Sequence, residues 1–336
     1  MQPTPNDQPK MSARAQDYAP PTSGILSALP PRLVPFGELI RIDKPVGIIY
    51  LYTPCATGTL LAASLSDPVT TPSRLLATNL ILLLSSISFR SMACAWNDVA
   101  DQGIDQDVER TRLRPIARGA VSTKAAHICT GILLLLSLAL QSQLPVLSGQ
   151  LKNLDCVYYS VPFILAAGIY PFLKRVTHYP QILLGFLNSW GVVQAFPALG
   201  QDLFDSQTHK AVAGYMMIYV ITWTALNDTI YAFQDLNDDL KLGVKSMAVQ
   251  HKNHAKVLFG GLAMIQVCSL LLVGIVAEAG LSYYAGVSVV LGLLSVVIRS
   301  VALNDPKSCA WWFQRGCHFV DATFLCCFFG QYIGRT

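Results

Sequence analysis

Long apolar runs alternate with short polar connections along most of the chain. Each run is close to the roughly 20 residues that an α-helix needs to cross the hydrocarbon core of a bilayer. The runs cover residues 46–66, 75–96, 125–144, 155–173, 180–199, 211–232, 255–277, 281–300 and 317–333. This pattern predicts an all-α membrane protein, a bundle of about nine transmembrane helices.

The composition agrees with a membrane protein. Of the 336 residues, 52% are apolar and only 13% are charged, whereas soluble domains carry roughly a quarter charged residues. The small net charge of +4 is not gathered into a Lys/Arg-rich patch, so we expect no nucleic-acid partner. The nine cysteines show no CxxC pair and no Cys/His metal spacing, and we interpret them as small buried apolar residues.

The N-terminal segment differs from the rest of the chain. Residues 1–35 are rich in Pro, Ser and Gln and have no apolar stretch long enough for a signal peptide. We interpret them as a disordered polar tail, followed by a transmembrane domain over residues 36–336. The segment contains acids and does not resemble an Arg-rich, acid-poor mitochondrial transit peptide. The endoplasmic reticulum membrane is therefore favoured over the mitochondrial inner membrane.

Basic residues predict the orientation in the membrane. If the N-terminus is cytosolic, most Lys and Arg residues fall on the cytosolic side, as the positive-inside rule requires. The exceptions are Arg74, Lys152, Lys210 and Arg335, with Arg90 inside an apolar run. An arginine facing lipid at that depth would be costly. We therefore expect Arg90 to point into the bundle, toward acidic residues or their ligand.

Acidic residues are concentrated in two windows, 98–109 and 228–239. Each window follows an apolar run that ends on the cytosolic side, the second and the sixth, which suggests a weak internal duplication. On an α-helix, Asp98, Asp101 and Asp105 would fall within about 60° of one face.

The second window has a similar pattern, since Asp235, Asp238 and Asp239 would lie within about 100° of one another on a helix. Carboxylates crowded on one face repel one another unless a cation lies between them. Mg²⁺ suits such a site because it takes oxygen ligands, typically one or two carboxylates together with substrate phosphates. The two windows therefore predict a site for a metal-bound diphosphate. Solvated loops at helix ends are the alternative, which the repetition of the pattern disfavours.

Basic residues accompany both windows. The stretch 110–119 contains four arginines and follows the first window, and the fourth apolar run ends in Lys174 and Arg175. Cations beside bound metal ions could bind phosphate oxygens. For Arg112, Arg118 and Arg175, positive-inside flanking is an equally good interpretation.

Four motifs can be read in order along the chain. Residues 97–105 read NDxxDxxxD and residues 110–119 read RTxxRPxxxG. Tyr170 and Lys174 form a YxxxK element, and a second acidic motif covers residues 231–246. Together with residues 41–47, these motifs closely resemble the signatures of the UbiA-type intramembrane aromatic prenyltransferases. The resemblance extends over about residues 40–330, with Ala93 as a departure where a glycine is common.

The resemblance implies a nine-helix bundle with a central cavity. It also implies Mg²⁺-dependent transfer of a prenyl group from an isoprenoid diphosphate to an aromatic acceptor. The implied metal ligands are Asn97, Asp98, Asp101, Asp105, Asp235 and Asp239. Asp98, Asp101, Asp235 and Asp239 would then act in catalysis, and Asp228 is a candidate base. The candidate substrate-binding residues are Arg41, Arg90, Arg114, Tyr170, Lys174, Asp238 and Lys245.

Two branches of prenyl transfer remain open. One is the fungal meroterpenoid branch of secondary metabolism, with farnesyl diphosphate as donor and an aromatic polyketide or phenolic acid as acceptor. The other is the 4-hydroxybenzoate polyprenyltransferase of ubiquinone biosynthesis. A secondary transporter is an alternative of another class, although its acids would more often lie at mid-membrane. We assign no role to the six histidines and expect no obligate protein partner.

Overall fold

The computed structural model describes residues 18–109, 111–144, 154–173, 175–204 and 206–336. Within these ranges the regular structure is helical and contains no β-strand. The prediction of an all-α protein is therefore confirmed.

Nine helices of the described ranges have sixteen or more residues and coincide closely with the nine apolar runs. They are α1 (Val46–Leu65), α2 (Pro72–Ala100), α3 (Thr123–Gln141), α4 (Asp155–Leu173), α5 (Pro180–Ala198), α6 (Gln207–Ala232), α7 (Ala255–Val276), α8 (Leu281–Ser300) and α9 (His318–Ile333).

Six of these nine helices, α1 to α4, α7 and α8, are long and apolar enough to cross a membrane. The predicted number of nine spans is therefore not confirmed for the described residues. Helix α9 has 16 residues and measures about 24 Å at 1.5 Å per residue, which is less than a typical hydrocarbon core. Helix α6 begins near His209 and Lys210 and contains Asn227 and Asp228, which lower its hydropathy.

The chain divides into two compact units, which are described separately. The smaller unit contains the residues up to Pro45 and Ser88–Leu135. Its apolar core is formed by Leu39, Ala95, Val99, Ile116, Val121 and Ala126. The predicted disordered tail falls partly on residues 1–17, which lie outside the described residues. Residues 18–35 include a short 3₁₀-helix, Ile25–Ala28.

The larger unit contains Val46–Ile87 and Leu136–Thr336. Its helices approach one another closely at glycines. A Cβ atom at Gly185 of α5 would lie 2.7 Å from both the Cα and the carbonyl oxygen of Ile221 in α6. Gly58 of α1 is similar, since its Cβ would lie 2.9 Å from Val192 Cα. Small residues allow this contact between backbones, which is a common basis of helix packing in membranes.

A buried polar network links four helices of the larger unit. The Ser85 and Ser137 hydroxyl oxygens are 2.9 Å apart, and Gln141 Nε2 donates to Ser85 Oγ at 2.9 Å. Gln194 Nε2 donates to Gln141 Oε1 and to Ser160 Oγ, both at 2.6 Å. These groups satisfy one another's hydrogen bonds away from water, which makes the burial of five polar side chains tolerable.

Candidate active site

The first acidic window lies where α2 ends. Helix α2 stops at Ala100, and a short helix follows over Gln102–Asp105. The i→i−4 bonding continues across this break, since Asp101 N donates to Asn97 O at 2.9 Å and Asp105 N donates to Asp101 O at 2.8 Å. The sequence had suggested one uninterrupted face. The structure instead has a one-residue break within it. Asp98, Asp101 and Asp105 are buried, whereas Asp107 of the same window is exposed.

Two arginines hold the carboxylates of this window. Arg41 Nη2 donates to Asp98 Oδ1 at 2.7 Å, and Arg114 Nη1 lies 3.3 Å from the same oxygen. Arg114 Nη1 also donates to both carboxylate oxygens of Asp105, at 2.8 and 3.0 Å. Burial raises the pKa of Asp105, and Arg114 opposes that rise. The structure therefore brings together four predicted site residues, because Asp98 and Asp105 share the cations Arg41 and Arg114.

Arg41 has an unusual backbone. Its φ of 59° lies in the left-handed region. This conformation costs a non-glycine residue about 1–3 kcal/mol and persists only where surrounding contacts enforce it. Arg41 N and Nη1 both donate to Glu38 O, at 3.1 and 2.8 Å, and Arg90 Nη1 donates to Arg41 O at 3.2 Å. Arg90 had been expected to point toward the acids or their ligand. In the structure it contacts the backbone of the residue that pairs with Asp98.

Arg118 of the arginine stretch has a different partner from Arg114. Its guanidinium pairs with Glu38 and lies 3.8 Å from the ring centroid of Tyr18. The Tyr18 hydroxyl donates to Glu38 Oε1 at 2.7 Å. Burial, and then the bond to Glu38, raises the pKa of Tyr18 to about 12. Arg118 therefore joins the N-terminal segment to the arginine stretch.

The donor set of the first window fits an oxygen-preferring cation. In the described parts of the chain, Asp98 Oδ2 is buried and has no hydrogen-bond partner, which is unusual for a carboxylate oxygen away from water. Those same parts contain no group of three or more His, Cys, Asp or Glu side chains arranged to hold a metal ion. Mg²⁺ commonly takes only one or two carboxylates together with substrate phosphates, and Asp98 Oδ2 could be one such ligand.

The second window repeats the helix-end arrangement. Helix α6 ends at Ala232, a 3₁₀ turn covers Phe233–Asp235, and a short helix follows over Leu236–Leu242. Gly243 ends that helix with a φ of 68°, a conformation that glycine adopts without steric cost. Asp228 and Asp235 are both partly buried, in contrast to the buried aspartates of the first window.

The remaining predicted site residues have varied surroundings. Asp238 Oδ1 lies 3.4 Å from the exposed Lys241 Nζ, and Asp239 is partly buried in the same short helix. Lys245 Nζ donates to Val176 O at 3.2 Å. This bond joins the second window to the loop after the YxxxK element. Tyr170 is partly buried in α4, whereas Lys174 lies outside the described residues.

Two residues to which the sequence analysis gave no role, His318 and Asp321, form a polar site with Trp223 within the larger unit. Trp223 Nε1 donates to Asp321 Oδ1 at 2.7 Å, and His318 Nδ1 lies 3.2 Å from Asp321 Oδ2. Asp321 is only 5% exposed. Two signals could have identified this site: an acid inside an apolar run, and a histidine three residues before it on the same helical face.

The described residues thus form a helical membrane protein with buried aspartates and arginines at a helix end, an arrangement suited to a metal-bound diphosphate. The chain belongs to the UbiA prenyltransferase family, whose family model matches residues 51–324. The resemblance drawn from the motifs is therefore confirmed. The chain is an integral membrane protein and an enzyme of the prenyltransferase class.

Characterised relatives include both branches considered above. The chain is 38% identical over 272 residues to the prenyltransferase ascA of Acremonium egyptiacum, covering 80% of this chain and 76% of the relative. It is 35% identical over 284 residues to the 4-hydroxybenzoate octaprenyltransferase of Pseudomonas aeruginosa, covering 84% and 89%. It is 33% identical over 287 residues to the DMOA farnesyltransferase nvfB of Aspergillus novofumigatus, covering 85% and 84%.

Solved structures share the fold. A UbiA homologue from Aeropyrum pernix K1 aligns with a TM-score of 0.65 and 19% identity, over 85% of this chain and 97% of that one. A homologue from Archaeoglobus fulgidus, bound to GPP and Mg²⁺, aligns with a TM-score of 0.60 and 17% identity, over 89% and 99%. These similarities establish a UbiA-like helical fold.

Proposed function

We propose that this chain transfers a farnesyl group from farnesyl diphosphate to an aromatic polyketide or phenolic acid, with Mg²⁺ as cofactor. Its place would be meroterpenoid biosynthesis in secondary metabolism. Prenyl transfer itself follows from the family. The farnesyl donor is supported by the relative named as a farnesyltransferase, and the metal by the homologue bound to GPP and Mg²⁺.

The observation that carries this proposal is the charge arrangement around Asp98. One oxygen of its buried carboxylate is held by Arg41 and Arg114. The other, Oδ2, has no hydrogen-bond partner within the described ranges. Oδ2 of this carboxylate can therefore bind a cation. Arg41 and Arg114 remain close enough to contact a second ligand bound to the same cation. A metal-bound diphosphate has the matching charges.

The residues of the first window have separate roles in this proposal. Asn97, Asp98, Asp101 and Asp105 would hold the metal, and Arg41 and Arg114 would donate hydrogen bonds to diphosphate oxygens. Magnesium, when bound, would neutralise charge that develops on the leaving diphosphate. Donors fixed at those oxygens stabilise the transition state more than the ground state, because charge increases there as the allylic C–O bond breaks.

The second window would supply further ligands and contacts. We assign Asp235 and Asp239 to the metal, Asp238 to the substrate, and Asp228 to orienting the acceptor or accepting a proton. Tyr170, Lys174 and Lys245 would contact the diphosphate. Lys245 Nζ donates one hydrogen bond to Val176 O at 3.2 Å, and its two other hydrogens can contact a diphosphate oxygen. Apolar helices exclude water, which would otherwise capture the allylic cation.

The proposed location is the endoplasmic reticulum membrane with a cytosolic N-terminus. The distribution of basic residues supports this orientation, and the composition of residues 1–35 argues against mitochondrial targeting. Protease protection in intact microsomes, with tags placed at either terminus, would test both statements.

The experiment that tests the function uses microsomes that contain the chain. They are supplied with Mg²⁺, with geranyl, farnesyl or longer polyprenyl diphosphates, and with an orsellinic-type acid or 4-hydroxybenzoate. We expect an EDTA-sensitive farnesylated polyketide. The control is the Asp98→Asn variant in matched microsomes, which should form no product. Product formation that is insensitive to EDTA would contradict the metal assignment.

The second candidate is 4-hydroxybenzoate polyprenyl transfer. The relatives named as 4-hydroxybenzoate octaprenyltransferases support it, since they match this chain about as well as the fungal ones. Long-chain prenylation of 4-hydroxybenzoate in the same assay, without a farnesylated polyketide, would select this candidate.

A further inference from the structure

The carboxylate of Asp321 holds two side chains at once within the larger unit. Trp223 Nε1 from α6 donates to Oδ1 at 2.7 Å, and His318 Nδ1 from α9 lies 3.2 Å from Oδ2. Both carboxylate oxygens therefore have a partner, although Asp321 itself is only 5% exposed. The indole and the carboxylate together restrict the position of the imidazole.

This arrangement determines which nitrogen of His318 can act as a base. An ionised carboxylate only accepts hydrogen bonds, and we therefore assign the hydrogen of the neutral imidazole to Nδ1, which faces Asp321 Oδ2. Nε2 then carries a lone pair. In the part of the chain that the structure describes, Nε2 is buried and has no hydrogen-bond partner. A buried basic nitrogen without a protein partner is a position that a ligand hydroxyl can fill.

Aromatic rings connect His318 to the second acidic window. The ring centroids of His318 and Tyr50 are 5.4 Å apart. Tyr50 in turn stacks on Phe313, with ring centroids 5.1 Å apart. The ring centroids of Phe313 and Tyr231 are 4.5 Å apart, and Tyr231 is four residues before Asp235 in the sequence. Ring faces of this kind accommodate an aromatic ligand and can also stabilise a nearby cation.

We propose that His318 is the base that acts on the aromatic acceptor. Its Nε2 accepts the hydroxyl proton of a phenolic substrate, and Asp321 is a positioning residue that holds the imidazole in the required tautomer. This inference rests on the proposed function, because it assumes that the acceptor is a phenol. It assigns the proton transfer to His318 and leaves Asp228 to orient the acceptor.

The proposed step is balanced. The phenol O–H proton moves to His318 Nε2, and the ring carbon beside the hydroxyl forms a C–C bond with the allylic carbon. The C–O bond of the prenyl diphosphate breaks, and its electron pair leaves with the diphosphate. The resulting dienone loses its ring C–H proton to the released diphosphate, which carries it out of the site, and regains a proton on oxygen from His318. The products are the prenylated phenol, diphosphate and one proton.

A second buried polar side chain on α6, that of Asn227, lies close in sequence to Trp223. Asn227 is one turn after Trp223 and therefore shares its helical face. It is 1% exposed, and neither its Nδ2 nor its Oδ1 has a hydrogen-bond partner in the described ranges. An amide in this state can bind a second polar group of the acceptor, such as the carboxylate of a phenolic acid.

The test measures two reactions of the purified full-length protein with Mg²⁺. One is transfer of the prenyl group to the phenolic acceptor. The other is the slow release of diphosphate when acceptor is omitted and water captures the cation. For His318→Gln we expect kcat of prenyl transfer to fall by at least about 100-fold. KM for the prenyl diphosphate and the acceptor-free release should stay at wild-type values. A variant that is merely misfolded would lose both reactions.

Asp321→Asn and Trp223→Phe test the positioning role. Asparagine preserves shape but no longer selects the tautomer, so kcat of transfer should fall while acceptor-free release is retained. Trp223→Phe removes the indole N–H together with the five-membered ring that carries it, and should have a smaller effect in the same direction. The control is His251→Gln, because His251 is paired with Tyr179 at 3.3 Å in another part of the unit, and we expect wild-type kinetics.

The outcomes separate this inference from the proposed function. If the wild-type protein prenylates the phenol and His318→Gln does so with unchanged kcat, the role of His318 is wrong and the proposed function stands. Equal losses of transfer and acceptor-free release in all three variants would also overturn it, because that result indicates a structural role. If the wild-type protein prenylates no phenol, the proposed function fails and the assignment of the base fails with it.

Discussion

Asp101 and Asp235 have the same local structure at the ends of two different helices. Each is the residue immediately before a short helix, with φ and ψ of −97° and 4° at Asp101 and −104° and 6° at Asp235. Neither side chain caps the helix that follows it, although aspartate at this position commonly does so. The repetition extends the suggested internal duplication from sequence to backbone conformation.

Removal of the Asp98 charge should abolish prenyl transfer and leave the fold intact. We expect Asp98→Asn to lower kcat by at least about 100-fold, because the amide keeps the size of the side chain but loses the anionic ligand. The matched control is Asp305→Asn. Asp305 caps the helix Pro306–Trp311 through Lys307 N, and asparagine caps equally well. Activity of Asp98→Asn near that of Asp305→Asn would contradict the metal assignment.

Two substitutions of Arg41 separate the effect of losing its charge from the effect of its left-handed backbone conformation. Arg41→Gly and Arg41→Ala should both weaken diphosphate binding, because both remove the guanidinium that pairs with Asp98 at 2.7 Å. Their stabilities should differ, since alanine is strained at a φ of 59° and glycine is not. We expect the glycine variant to be more stable by up to about 1 kcal/mol.

Radiolabelled diphosphate binding and the thermal midpoint in detergent measure the two effects of Arg41 substitution. Wild-type affinity in either variant would remove Arg41 from the substrate site. Equal thermal midpoints would indicate that the left-handed backbone at this position carries no strain.

Lys174 is predicted to bind the diphosphate, as the YxxxK element implies. Lys174→Ala should raise the Kd for the prenyl diphosphate, because it removes a cation from the site. Lys241→Ala is the control, since Lys241 forms a surface pair with Asp238 and its side chain is 76% exposed. Such pairs contribute about 0–1 kcal/mol. An equal Kd in the two variants would mean that Lys174 does not bind the diphosphate and is explained by the positive-inside rule alone.

The close contact of α5 and α6 should be sensitive to a single methyl group. A Cβ at Gly185 would lie 2.7 Å from backbone atoms of Ile221, so Gly185→Ala should destabilise the protein by about 1–3 kcal/mol. Gly260 in α7 has no atom within 4 Å of its Cβ position, and Gly260→Ala should be neutral or stabilising by about 0.5–1 kcal/mol. Thermal midpoints in detergent should fall for Gly185→Ala and should not fall for Gly260→Ala. An unchanged midpoint for Gly185→Ala would mean that α5 and α6 can separate at no cost.

The helices were predictable because burial in lipid leaves a simple signal. The run 281–300 corresponds to the helix Leu281–Ser300 and the run 255–277 to Ala255–Val276. The first run begins after Gly280 and ends at Arg299 and Ser300, and the second lies between His254 and Glu278, so glycine or polar residues mark the limits of both. The number of spans was less predictable. Helices such as α6 mix buried polar and apolar residues, and hydropathy does not distinguish a polar side chain facing protein from one facing lipid.

The candidate site was predictable in its residue types but not in its pairing. Spacing alone placed Asp98 and Asp105 together, and the structure agrees. Spacing could not reveal that Arg114 contacts these acids while Arg118, four residues later, pairs with Glu38, because that choice depends on tertiary contacts with a segment far away in sequence. The polar site at Asp321 was missed for the same reason, since the carboxylate that contacts His318 also accepts from Trp223 of another helix.

The pairing of Asp98 with Arg41 and Arg114 has a consequence for how the protein is made. Many metal proteins depend on their ion to fold, because the ligands repel one another without it. Here the arginines already balance the buried acidic charge, and a paired buried charge is far less costly than an isolated one. The polypeptide can therefore be synthesised, inserted and folded without a bound cation. Under the proposed dependence on Mg²⁺, chelation should inhibit the enzyme reversibly and should not increase its degradation.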